Sequence, residues 1–549
     1  MIAFQQALVL LLLTTALSIG ARWVPWPRPI TYVMGGIAFA LVPSFPRLTL
    51  EPGFFFLCFL PPLLFSDGWL MPLRELAKAK RPIITLATGL VVLTTLGVGF
   101  VAHWLIPTLT LPMAFALGAV VSPTDAVAVS AITRTMKVPT RLTIVLSGES
   151  LMNDATGLVL FKFALAAIMV GTFSLHAAAL DFLRLAAGGL AMGFVVAYAA
   201  GKLRDFLIRV HSADPLVEIT LSLLTPYAAY LAAQSIGVSG ILSVVVAGLY
   251  SGWRDPVKMD AATRQTTWIV WSTVLFWLNG LAFVLLGLQF PTLLHAVEGY
   301  FSVAHLIGFV AAIGGAAIVL RMVWIFPSAY LPFLLSAKVR KAEDRPSWQS
   351  VLVAGWAGMR GTVTLAAALS IPLTLPDGVA FPGRDLVIFV AFGVIVATLL
   401  IQGTTLGWLI RRLGLHEDGM RQREERVART TAVDAGLRVL RGFEAAATSA
   451  AKKGALSHVL AEYEQRLSEL VAQGDTRAHA RDQRATEKHF RFAALEAERH
   501  AIDDLWRRDV IADDVHRPLQ QLLDHEEAML RAQRGPGEEE IAPSLGEQL

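Results

Sequence analysis

The chain has 549 residues, of which 55% are hydrophobic and only 16% charged, against roughly 25% charged in soluble domains. That balance excludes an ordinary soluble globular protein, and a net charge of +4 over this length is no footprint for a nucleic-acid partner. Cys58 is the single cysteine, so an intrachain disulfide is excluded as well.

The N-terminal stretch Met1–Gly20 has no basic n-region, and its apolar run leads into further apolar runs. It therefore predicts a first transmembrane helix and not a signal peptide. Runs approaching bilayer-spanning length, about 20 residues, recur along the chain. They lie near 3–21, 30–43, 52–66, 82–106, 111–134, 140–172, 182–202, 213–237, 240–253, 267–290, 302–333, 348–374 and 385–411. The expected fold is thus an all-α polytopic membrane protein of thirteen spans. Lys and Arg alternate between the connecting loops: one set holds 19, including Arg74, Lys78, Lys80, Arg81, Arg204 and Arg254. The opposite set has only Arg47, Arg184 and Arg384. The positive-inside rule makes the basic set cytoplasmic, with the N-terminus outside and the tail inside.

The fifth span contains Ser122-Pro123-Thr124-Asp125. Proline removes a backbone donor and clashes with the preceding turn, so carbonyls are freed at membrane depth. Irregular backbone there is tolerated only in a protein interior or beside a cavity. The sixth span carries Gly148-Glu149-Ser150-Leu151-Met152-Asn153-Asp154. Ser150 and Asp154 are four apart and share a helix face; Glu149 and Asn153 form a second pair one position round. An acid inside the hydrocarbon reads by default as an ion or proton pathway. Hydroxyl, amide and carboxylate oxygens are also the hard ligands that a dehydrated alkali cation needs. Arg321 lies inside the eleventh span, and Gly358-Met359-Arg360-Gly361 loosens the twelfth. The fifth and twelfth spans are seven apart and both interrupted, the pattern of two inverted six-helix repeats with broken crossing helices. The two acids need counter-charges and the two arginines need acids; spacing alone does not assign the pairs.

Beyond about Leu415 the composition changes. Residues 416–549 carry 20 Lys/Arg and 26 Asp/Glu, about half of all the charged residues. The chain thus divides into a transmembrane domain, 1–415, and a helical C-terminal domain, 416–549. Leu437, Leu440 and Phe443, then Leu460, Tyr463 and Leu467, have helical spacing. Gly535-Pro536-Gly537 followed by three glutamates reads as a flexible acidic end. A tail that packs on itself or on a second copy, and a regulatory sensor, both fit.

The runs around Ser122–Asp125, Gly148–Asp154 and Gly358–Gly361 resemble sodium/proton exchangers of the cation:proton antiporter-1 family. Leu60-Pro61-Pro62-Leu63-Leu64-Phe65 and Gln402-Gly403-Thr404-Thr405-Leu406 fit the same family. The resemblance covers about residues 1–415 and does not extend to the tail. It implies thirteen spans, a homodimer in the membrane lipid, and a core domain moving elevator-like against a dimerisation domain. It implies that Asp154 binds either the cation or the proton, with Ser150 a second ligand. Thr124 supplies oxygen from the broken fifth helix, with Asp125 at the same crossing. Asn153 stands where electrogenic relatives have a second aspartate, which implies one cation per proton. Asp67 is the third-span acid, placed one residue later than in many members. Glu149 and Arg321 are implied to form a structural ion pair, and Arg360 to steady the helix crossing.

The expected function is exchange of a monovalent alkali cation, Na+ first, for H+ across the bacterial inner membrane, with no cofactor. Desolvation penalises a bare carboxylate, so proton and cation compete for Asp154. A K+/H+ exchanger shares this mechanism; a cation channel or a tail-based sensor would be different classes. An enzyme is disfavoured, since the 12 histidines show no metal-ligand spacing.

Overall fold

A computed structural model describes residues 2–42, 57–170, 175–211, 214–416, 419–443, 450–471 and 475–532, apart from 25, 137, 376, 377, 509, 511 and 512. The start of the expected third span and the Gly535–Glu540 end lie outside the described residues. The chain divides into two compact units, Met1–Glu417 and Asp418–Leu549. Both are helical, and among the described residues the only β pairing is a bridge between Thr374 and Ala380.

The first unit begins with α1 (Ile2–Gly20), α2 (Arg28–Ala40) and α3 (Leu60–Leu70). Then come α4 (Lys80–Leu105), α5 (Leu111–Val121), α6 (Ala126–Met136) and α7 (Thr140–Val170). Next are α8 (Leu175–His211), α9 (Pro215–Ser235), α10 (Gly240–Lys258) and α11 (Ala261–Leu288). The unit closes with α12 (Val303–Leu335), α13 (Trp348–Trp356), α14 (Thr362–Leu369) and α15 (Arg384–Arg412). Among the described residues eight segments are long and apolar enough to cross a membrane. Four of the other five expected spans fall short for identifiable reasons. Helices α2 and α3 have only 13 and 11 residues. Helix α10 carries Arg254, Asp255 and Lys258, and the 348–374 run is broken between Trp356 and Thr362. The fifth, α1, has 19 residues, about the length of a span.

Two packing groups emerge. Helices α4 to α7 and α12 to α15 pack around one large apolar core, which α1, α2 and the C-terminal half of α11 also join. Helices α3, α8 to α10 and the N-terminal half of α11 share a second core containing Phe65, Trp69, Val244 and Trp271. Helix α3 lies close against α10, where Gly248 and Gly252 pass the backbone of Phe65 and Trp69; a Cβ at either glycine would run into a carbonyl oxygen. Small residues four apart are the usual means by which membrane helices approach this closely.

The second unit contains α16 (Met420–Gly442), α17 (Ala450–Val471), α18 (Asp475–Arg507) and α19 (Asp513–Ala532). Helix α16 pairs with α17, Gly436 lying against Tyr463. Helices α18 and α19 join through Leu495, Leu523 and Leu530, with Arg499 bridging Asp524 at 2.8 Å and Glu527 at 2.7 Å.

Candidate functional site

Helix α5 stops at Val121 because Pro123 has no N–H to extend it, and Ser122–Asp125 runs irregularly to α6. The Gly-containing stretch between α13 and α14 does the same, and the two breaks cross: the Asp125 N–H donates to the Met359 carbonyl at 2.8 Å. Gly361 permits the crossing, since a Cβ there would collide with the Asp125 carboxylate. Helix α7 pins the first break. The Ser150 hydroxyl donates to the Thr124 carbonyl at 2.6 Å and accepts from the Ala126 N–H at 2.9 Å. The Asn153 amide donates to Thr124 Oγ1 at 2.9 Å, and that hydroxyl faces Glu149 Oε1 at 3.5 Å.

Both arginine side chains reach the C-terminal ends of broken half-helices, where unsatisfied carbonyls concentrate partial negative charge. Arg321 grips Glu149 with both Nη atoms, the Nη2–Oε2 bond measuring 2.8 Å, and each side chain is 1% exposed. Its remaining donors reach Ala354 O at 2.9 Å and Gly355 O at 3.1 Å, at the end of α13. Arg360 Nε donates to Val121 O, the last residue of α5, at 2.5 Å. Its backbone N–H is held by Thr398 Oγ1 at 3.2 Å. Glu149 is thus committed to an arginine.

Asp154 is differently placed. It is buried, yet among the described residues no side chain donates a hydrogen bond to it. It faces a cavity of about 430 Å³, including the open mouth, together with Asp67, Thr124, Asp125, Ser150, Asn279, Gly361 and Thr364. Three carboxylates line this space, and among the described residues no basic one does. The cavity lies at the seam of the two packing groups: Asp67 and Asn279 come from α3 and α11, the other polar groups from the α5–α7 and α13–α15 side. Of the residues singled out in the sequence, five meet here: Asp67, Thr124, Asp125, Ser150 and Asp154. Asn153 is not among the described lining residues; its NH2 donates to Thr124. Glu149, Arg321 and Arg360 stand behind the wall and hold the crossing.

The sequence reading missed Asn279 and Thr364. A signal existed for Asn279, an amide amid the apolar residues of the tenth span. It also took Arg204 and Arg254 for loop bases. Both lie within helices and are paired: Arg204 with Asp255 at 2.8 Å, Arg254 with Asp205 at 2.6 Å. Spacing gave no hint, because the partners come from α8 and α10.

A chain of membrane-length helices, with carboxylates around a cavity at two helix breaks, belongs to the class of ion-coupled membrane transporters. The family model for the transmembrane region of sodium/hydrogen exchangers matches residues 8–412. Over 408 residues the chain is 42% identical to a Bacillus pumilus protein named as a sodium, potassium, lithium and rubidium/H+ antiporter. That alignment covers 73% of this chain and 60% of the Bacillus protein. It is 34% identical to the Escherichia coli protein YjcE, named an uncharacterised Na+/H+ exchanger, over 96% of this chain and 98% of that one. The solved sodium/proton antiporter MjNhaP1 of Methanocaldococcus jannaschii has a similar fold, with a TM-score of 0.58 at 18% identity over 75% of this chain and 99% of its own. The chain belongs to the sodium/hydrogen exchanger family, within the cation:proton antiporter-1 group.

Proposed function

We propose that this chain exchanges Na+ for H+ across the bacterial inner membrane, one for one, by competition at Asp154. The observation that carries this reading is the seam cavity, where, among the described residues, three carboxylates and no base face a space at membrane depth. A bare Asp154 in that setting is penalised; a bound proton or a bound cation removes the penalty. The α4–α7 and α12–α15 group, carrying Asp154, then crosses when neutralised by either ion and not otherwise. Ser150 offers its free lone pair to the cation and Thr124 an oxygen at the break. Asp125 and Asp67 contribute charge. Glu149 and Arg321 carry no ion and keep the core intact, while Arg360 steadies α5 against the second break. Asn153 acts by orienting Thr124, and its neutrality leaves Asp154 as the exchanging acid of α7.

The same reading takes residues 1–415 as thirteen spans in two inverted repeats, with the breaks of α5/α6 and α13/α14 as their symmetric elements. Residues 416–549 form a cytoplasmic helical domain, the N-terminus is outside, and the protein works as a homodimer. Na+ is the cation common to both relatives' names, and the name of the Bacillus protein adds potassium, lithium and rubidium. The test is a pH-gradient assay in proteoliposomes with each alkali cation added in turn. Saturable, Na+-dependent proton movement insensitive to membrane potential is expected. Proton movement without saturation would mark a channel, and none at all would reject exchange.

A further inference from the structure

We infer that Asn279 is a cation ligand that favours the cation over the proton, supplied to the cavity from the side opposite Asp154. The inference rests on the exchange reading above. Asn279 is the polar member of an apolar stretch of α11 and lines the same cavity as Asp67, Asp125 and Asp154. An amide at membrane depth is costly unless both its edges are used. One edge is accounted for: Nδ2 donates to the Leu275 carbonyl, one turn back, at 2.9 Å. That bond fixes the orientation of the group, because a carbonyl only accepts and so requires the NH2 edge. The carbonyl oxygen of Asn279 is then the edge left to the cavity.

Besides the Thr364 hydroxyl, neutral side-chain oxygens on this wall are few. The Thr124 hydroxyl is held by Asn153, and the Ser150 hydroxyl by Thr124 O and the Ala126 N–H. The carboxylates of Asp67, Asp125 and Asp154 serve either ion, since each can take a proton. An amide oxygen does not protonate in this pH range, so it replaces a water of the cation and offers nothing to the competing proton. Removing it should therefore weaken cation binding and leave proton binding to the carboxylates unchanged. Whereas Asp154 lies on α7, Asn279 lies on α11, which packs mainly against α1, α2, α3 and α9. Its contact with the ion is made across the seam and breaks when the carboxylate-bearing group moves.

The experiment measures the Na+ KM of the full chain in proteoliposomes across a pH series, for wild type, Asn279→Ala and Asn279→Asp. In a competition, KM is flat at alkaline pH and rises as protons occupy the site. Asn279→Ala should lift the alkaline plateau about tenfold, as loss of a bond to a charged group does, with the inflection pH unmoved. Asn279→Asp keeps the shape and adds a protonatable oxygen. It should lower the plateau and move the inflection to higher pH. An unchanged plateau in Asn279→Ala, or an inflection that moves with it, overturns the assignment. If Asn279→Ala yields no folded protein, an unchanged plateau in Asn279→Asp overturns it instead. Absence of Na+-dependent flux in the wild type would reject exchange itself, an outcome visible before either variant is measured.

Discussion

Two buried charge clusters in this membrane unit use similar residues to opposite ends. Between α8 and α10, Arg204 meets Asp255 at 2.8 Å, with side chains 5% and 1% exposed, and Arg254 lies 2.6 Å from Asp205 and 3.6 Å from Asp255. Arg254 also donates to Gly201 O at 2.8 Å. Every aspartate there has a guanidinium. Around the seam cavity, Asp67, Asp125 and Asp154 face one space, and among the described residues no arginine or lysine lines it. A matched cluster fixes helices together; an acid such as Asp154, to which no described side chain donates, requires a mobile cation or proton to complete it. The contrast even runs along one helix, for Glu149 is matched by Arg321 and Asp154, five residues on, is not.

The comparison breaks most directly at Asp154. Asp154→Asn should reduce cation-dependent proton movement in proteoliposomes to the background of empty vesicles, while the protein elutes in detergent as wild type does. Wild-type exchange in this variant would mean that the unmatched acid is not the exchanging one. Glu149→Ala should do the reverse kind of damage. It strands a guanidinium that is 1% exposed, a change that costs about 3–5 kcal/mol when one partner of a buried pair is removed. Folded yield and melting midpoint in detergent should both drop. A normal midpoint would show that the pair is dispensable.

Arg204→Ala tests the matched cluster away from the cavity and should be milder. Arg254 still stands 3.6 Å from Asp255, so a loss of roughly 1–3 kcal/mol is expected. The folded fraction should keep the wild-type Na+ KM, measured in the same vesicles. A changed KM would mean that this cluster communicates with the ion site.

Much of the cavity was legible in the sequence because it is built from rules that act locally. Pro123 announces the end of α5, and the spacing of Ser150 and Asp154 puts them on one face of α7 whatever the helix packs against. The partner of Glu149 was not legible from spacing, since Arg321 lies 172 positions away; the family resemblance assigned it. Asn153 shows a subtler limit. Its position on α7 is beside the site, but its NH2 donates to Thr124, and such a bond depends on how two helices meet. Arg204 and Arg254 misled because charge counting treats every arginine near a span end as solvated. Asn279 was overlooked because a lone amide has no motif, and its meaning depends on what α3 and α7 place opposite it.

A third arrangement lies between the two clusters. Glu343, in the loop between α12 and α13, receives Arg81 Nε and Nη2 at 3.0 Å each, and Arg141 Nη2 at 3.0 Å. It is matched like Asp255 but remains 17% exposed, and Arg141 is 43% exposed. The hydrogen bonds from Arg81, then its charge and that of Arg141, hold the Glu343 carboxyl below its ordinary range. A folded-state value below the unfolded one gives stability that is present above the unfolded pKa, about 4.3, and is lost as pH falls through the folded value. Glu343→Gln should therefore lower the melting midpoint slightly and evenly from neutral pH down to about pH 5. The gap from wild type should close only in stronger acid. Partly solvated pairs of this kind contribute up to about 1 kcal/mol, so the effect should be the smallest of the set. A gap that grows on acidification would mean that Glu343 is protonated in the fold, and that the α12–α13 loop is held by Arg81 and Arg141 through other partners.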